Sequence, residues 1–129
     1  MSNLYSSRPT DAELAILRVL WSLGPSTVRQ VYEVLSQDRE TGYTTVLKLM
    51  QIMTEKGLVE RDESERTHVY QARFTREQTQ QRLVSDLLEK AFGGSASQLV
   101  MQALAAKPAS ADELAEIRRL LDEMEGGKQ

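Results

Sequence analysis

Tyr43-Thr-Thr-Val-Leu-Lys-Leu-Met-Gln-Ile-Met-Thr-Glu-Lys-Gly-Leu-Val59 is the stretch on which the fold turns. The spacing predicts a helix from Tyr43 to Lys56, with Gly57 as a left-handed stop and Lys56 suited to the negative end of the helix dipole. At about 100° per residue, Val46, Leu49, Met50 and Met53 fall on one side. Thr44, Lys48, Gln51 and Glu55 fall on the other. The second stripe is long enough to lie in a major groove. There Gln51 can pair with adenine, and Lys48 can reach guanine or a phosphate. Tyr43, Thr44 and Thr45 stand at the helix start, where hydroxyls and free amides suit phosphate oxygens. Glu55 would repel a phosphate rim or accept from cytosine. Taken alone, such a stripe also describes a solvated helix face, so its neighbours decide between the two.

Upstream, Thr10-Asp-Ala-Glu13 has the form of a capping box. It opens a helix carrying Leu14, Ile16, Leu17, Leu20, Trp21 and Leu23, which Gly24-Pro25 stops. Ser26 is expected to cap a second helix with Val28, Val31, Tyr32 and Leu35 on one face. A polar loop, Ser36 to Gly42, leads into the third helix. Downstream, two short strands are expected near Leu58–Arg61 and Thr67–Phe74, with Glu63 to Arg66 as their turn. Three helices followed by a hairpin is the winged helix-turn-helix order, and residues 1–74 are assigned to it. In that setting the polar stripe of the third helix is read as inserting in DNA. Arg66 could enter a minor groove or touch phosphate, or simply sit in a solvated turn beside Glu63 and Glu65. His68, the only histidine, is expected to share a strand face with Tyr70 and to pack or contact phosphate.

Residues 75–129 read as three more helices. Thr75-Arg-Glu-Gln78 and Ser110-Ala-Asp-Glu113 are further capping-box patterns. Gly93-Gly-Ser95 breaks the first helix from a short one, Ser97 to about Ala106, which Pro108 ends. The stripes contain Leu83, Leu87, Leu88 and Phe92, then Leu99, Val100 and Leu104, then Leu114, Ile117 and Leu121. Fifty-odd residues of this kind bury too little to stand alone. The preferred partner is a second copy of the chain, which would place two third helices on one face of a two-fold operator. The other solution is a bundle folded back on the first domain. The fold class is therefore mostly α with a small β-hairpin: a winged domain followed by a helical dimerisation region.

The bulk numbers set limits on this reading. The 129 residues carry a net charge of −3, and 40% are hydrophobic. Residues 1–72 hold eight Lys and Arg against ten Asp and Glu, a net of −2. A nonspecific, charge-driven nucleic-acid binder is thus disfavoured, and any DNA contact must rest on where the charges point. With no cysteine, disulfides, thiolate metal sites and a cysteine nucleophile are excluded. No metal site, cofactor or catalytic constellation is expected, so an enzyme is not. Apolar runs are too short for a membrane span, and no signal peptide is read at the start, so a cytoplasmic protein is expected.

Thr10-Asp-Ala-Glu-Leu-Ala-Ile-Leu-Arg-Val-Leu-Trp21, Gly24-Pro25, Thr27-Val-Arg-Gln-Val31, Tyr43-Thr-Thr-Val46, Lys56-Gly-Leu-Val59, Arg66-Thr-His-Val-Tyr70 and Phe92-Gly-Gly-Ser95 together resemble the penicillinase repressor family. That family includes the methicillin-resistance and copper-responsive repressors. The resemblance covers nearly the whole chain. It implies a homodimer on an inverted-repeat operator that represses transcription, with Tyr43, Thr44, Thr45, Lys48 and Gln51 reading the major groove. It also implies that the three late helices form the dimerisation domain. The cysteine-rich tail of the copper-responsive branch is missing here. A regulatory protease cuts the beta-lactam branch at an Asn-Phe bond, and Gln102-Ala103 stands at that place and departs from the pair. The rival function is a winged-helix module that docks a protein partner without specific DNA binding.

Overall fold

A computed structural model describes residues 8–127. Its elements run α1 (Asp11–Leu23), α2 (Val28–Leu35), α3 (Tyr43–Lys56), β1 (Val59–Asp62), β2 (Val69–Ala72), α4 (Arg76–Phe92), α5 (Ala96–Ala106) and α6 (Ala111–Gly126). The chain divides into two units that meet at Val84–Ser85, inside α4.

In the first unit, local rules set the helix ends. The Glu13 amide donates to Thr10 Oγ1 at 3.2 Å, and the Thr10 amide donates to Glu13 Oε1 at 2.9 Å. These bonds satisfy two amides that a helix start leaves without partners. Glu13 Oε1 also accepts from Lys56 Nζ at 2.7 Å, which ties the start of α1 to the end of α3. Gly57 ends α3 at φ 82°, ψ 16°, and its amide donates back to Met53 and Thr54 carbonyls. A side chain there would carry a steric cost that glycine avoids.

The α2 cap differs from expectation. Thr27, not Ser26, accepts from the Gln30 amide and completes a capping box. Ser26 is drawn into the sheet instead. Its amide donates to the Tyr70 carbonyl at 2.9 Å, and the Tyr70 amide donates to the Ser26 carbonyl at 2.8 Å. The Ser26 hydroxyl donates to the Gly24 carbonyl. One extended residue thus lengthens the two-stranded sheet and moves the helix start on by one position.

The core gathers one face of each helix over the hairpin. Ile16, Val31, Val46, Met50 and Met53 are fully buried, and Tyr70 and Val59 close the bottom. Leu49 is half-buried beside them. Each such side chain removed from water contributes about 1.5–3 kcal/mol. Leu23 departs from the expected face and is exposed. The strands pair antiparallel, Val59 with Ala72 through Asp62 with Val69. β1 has the expected length but lies one residue later, and β2 is shorter than expected. The turn spans 63–68, so Thr67 and His68 precede β2 instead of lying in it. The Trp21 indole N–H donates to the Phe74 carbonyl at 3.0 Å, holding the exit of the sheet on α1. The Thr75–Gln78 box then opens α4, and Arg82 lies over the Phe74 ring at 4.1 Å.

The second unit is helical. Ser95 caps α5 through the Gln98 amide, so this helix begins ahead of the expected Ser97. Ser110 and Glu113 form the box that opens α6. Gly93 and Gly94, at φ 56° and 84°, separate α4 from α5. No described residue from 85 to 127 is buried.

Candidate nucleic-acid interface

The two faces of α3 are separated as sharply as the wheel requires. Val46, Met50 and Met53 have no exposure to solvent, whereas Thr44, Lys48, Gln51 and Glu55 are exposed. At about 1.5 Å rise per residue the exposed stripe runs for about 16 Å. No side chain caps α3, because Gly42 occupies the cap position. The first amides of the helix, at Tyr43, Thr44 and Thr45, are therefore left for an outside acceptor such as a phosphate oxygen.

Tyr43 is oriented by its neighbours. Its ring meets Tyr32 edge-on, with centroids 5.8 Å apart and planes at 78°. The Arg29 guanidinium lies over the Tyr43 face at 4.6 Å and 5.8 Å from the Tyr32 ring. An aromatic face attracts such a cation. Behind this cluster lies an open cleft of 230 Å³, lined in part by Thr27, Arg29, Tyr43, Arg66, His68 and Tyr70. The wing turn thus brings Arg66 and His68 to the start of α3, next to Tyr43 and away from Glu55.

The cations of this unit differ in availability. Lys56 is held by buried Glu13. Arg61 donates to Glu63 Oε2 at 2.6 Å, and its pKa is raised by the Tyr70 side chain first and by Glu63 second. Lys48, Arg29 and Arg66 form no ion pair among the described residues. Each internal pair uses one cation and one carboxylate, so the net of −2 for residues 1–72 stands, and what the pairs decide is which cations remain for an outside ligand. Arg29, which the sequence reading did not single out, joins this group through its contacts with Tyr32 and Tyr43. No local period relates it to Tyr43, fourteen residues on, and only the packing of α2 on α3 brings the two together.

The residues expected at the dimer seam stand on the second half of the chain, and none of them is fully covered. Leu87, Val100, Leu104 and Leu121 are exposed, and Leu83, Leu88, Phe92, Leu99, Leu114 and Ile117 are half-buried. Val84, Met101, Leu120 and Met124 are large exposed apolar side chains that extend these stripes. Gln102 and Ala103 are exposed within α5. Among the described residues no group of three His, Asp or Glu could hold a metal ion, and no helix is long and apolar enough to cross a membrane.

Comparison with known proteins agrees with this geometry. The family model described as penicillinase repressor matches residues 9–123. The transcriptional regulator BlaI of Mycobacterium tuberculosis, in two strains, is 35% identical over 122 residues, which cover 94% of this chain and 88% of the relative. Among solved structures, one described as the complex structure of hsRosR-S4 superposes with a TM-score of 0.54 at 20% identity, covering 98% of this chain and 100% of that one. At that identity the likeness is one of fold.

Proposed function

Because this chain belongs to the penicillinase repressor family, we propose that it is a homodimeric, sequence-specific repressor of transcription whose α3 enters the major groove of a two-fold operator. The observation that carries the reading is the exposed stripe Thr44, Lys48 and Gln51 on a helix whose opposite side is the buried core. Gln51 is assigned to a base edge, and Lys48 to a base or phosphate. Tyr43, Thr44, Thr45, Arg66 and His68 are assigned to the backbone around the helix start, where they set register without reading sequence. The protein has a binding role and no catalytic one, and acts in the cytoplasm.

Dimerisation is supported by α5. Ala96–Ala106 contains no charged residue, carries Leu99, Val100, Met101 and Leu104 on one broad face with Gln98 and Gln102 opposite, and buries none of them. A broad apolar face of this kind needs cover. We assign that cover to the same helices of a second copy, with residues 75–129 as the dimerisation domain and 1–74 as the winged domain. A two-fold partner also doubles the few free cations, which an acidic protein needs for tight binding.

Selection of random duplexes on the purified full chain tests the reading. Recovery of an inverted-repeat consensus supports it. Absence of enrichment at moderate salt overturns it in favour of a protein-docking winged helix.

A further inference from the structure

We propose that the cleft between the start of α2, the start of α3 and the wing turn seats one DNA backbone phosphate, gripped by Arg29, which also holds the Tyr43 ring in place. The proposal rests on the repressor reading and adds to it a positioning residue on an element other than α3.

Three observations lead to it. The Arg29 guanidinium is already fixed, between the face of Tyr43 at 4.6 Å and the ring of Tyr32 at 5.8 Å. Its donors are nevertheless free, since among the described residues it makes no hydrogen bond and no ion pair. A planar group with five N–H donors, held by stacking and unspent on the protein, is prepared for a two-point grip on phosphate. Arg66 and His68 reach the same cleft from the wing. Opposite elements of the unit thus present their unpaired donors to one 230 Å³ space. Of the carboxylates at the wing turn, Glu63 takes Arg61 and Asp62 accepts from the Ser64 amide, while Glu65 forms no ion pair among the described residues.

The stacking has a second consequence. Tyr43 is the first residue of α3, so a guanidinium pinned to its face couples a phosphate contact to the angle at which α3 meets the groove. Arginine is required for both tasks. Lysine supplies the charge but neither the planar stack nor the fork.

The test uses the full chain, Arg29→Gln, Arg29→Lys, and the duplex recovered by selection. Each phosphate neutralised by a side chain adds about 0.9 to the slope of log affinity against log salt. Arg29→Gln should therefore lower that slope by about 1.8 for a dimer, so that the variant loses about 12-fold less affinity than the parent between about 50 and about 200 mM salt. Arg29→Lys should keep the slope and still bind more weakly than the parent. A set of duplexes, each with one phosphate replaced by an uncharged methylphosphonate, locates the contact. At one position per half-site the parent should lose affinity while Arg29→Gln loses no more. An unchanged slope in Arg29→Gln, or a variant as sensitive as the parent at every position, overturns the proposal. A parent protein that enriches no duplex removes the repressor reading itself, and this proposal with it.

Discussion

Glu13 and Lys56 are forty-three residues apart, and their pairing fixes the end of the reading helix against the start of α1. Exchanging Glu13→Gln removes the charge while keeping an oxygen that can accept from the Thr10 amide. Lys56→Met removes the ammonium while keeping the apolar stem. In the parent the Nζ–Oε1 distance is 2.7 Å, with the two side chains 26% and 3% exposed. Removing one partner of a fully sequestered pair costs about 3–5 kcal/mol. An exposed pair contributes about 0–1 kcal/mol. With about a quarter of the lysine in water, the coupling should fall between, at about 2 kcal/mol, or about a 30-fold change in the folding constant. Urea denaturation followed by the fluorescence of Trp21, the single tryptophan, reports on this unit. Protomer concentration is held fixed, because association contributes to apparent stability. A slope of about 1–2 kcal/mol/M gives a midpoint shift of about 1–2 M for Glu13→Gln. The double-mutant cycle isolates the pair from the cap. A coupling below about 0.5 kcal/mol would refute the reasoning, since the tie would then add nothing beyond an exposed ion pair.

The remaining predictions concern the stripe, the seam and the wing. Lys48→Ala should weaken binding to the selected duplex and, where the contact is a phosphate, lower the salt slope by about 0.9 per half-site; binding equal to the parent counts against its assignment. Gln51→Ala should cost about 1–3 kcal/mol per good base pair lost and relax one position of each half-site in a repeated selection. An unchanged consensus removes Gln51 from base reading. Leu104→Glu should place a charge in the dimer seam and shift sedimentation towards monomer. An unaltered dimer takes this residue out of the interface. Asp62 is held below its ordinary 3.8 by the Ser64 amide first and by the Ser64 side chain second. Because the folded value is depressed, its contribution to the wing turn is present above 3.8 and is lost as pH falls through the lower folded value. A carboxyl NMR titration with a midpoint at or above 3.8 would contradict this.

What the sequence determined by itself is what short-range physics controls. Thr10 with Glu13, Thr75 with Gln78, and Ser110 with Glu113 announce helix starts because each box closes within four residues. Gly57 announces a stop because the left-handed turn there suits glycine. The two faces of α3 follow from period alone, and with them the core residues Val46, Met50 and Met53 and the exposed Lys48 and Gln51. Tertiary structure decided the rest, because the partners are distant in sequence and no local period relates them. Ser26 leaves the expected cap for Tyr70. Lys56, legible only as a helix-end charge, is claimed by Glu13. The wing carries Arg66 and His68 to Tyr43, and Arg29 reaches the same cleft from α2. The free cations of the interface are thus defined by which carboxylates the fold has already used, and that selection is made only when α1, α3 and the hairpin close on one core.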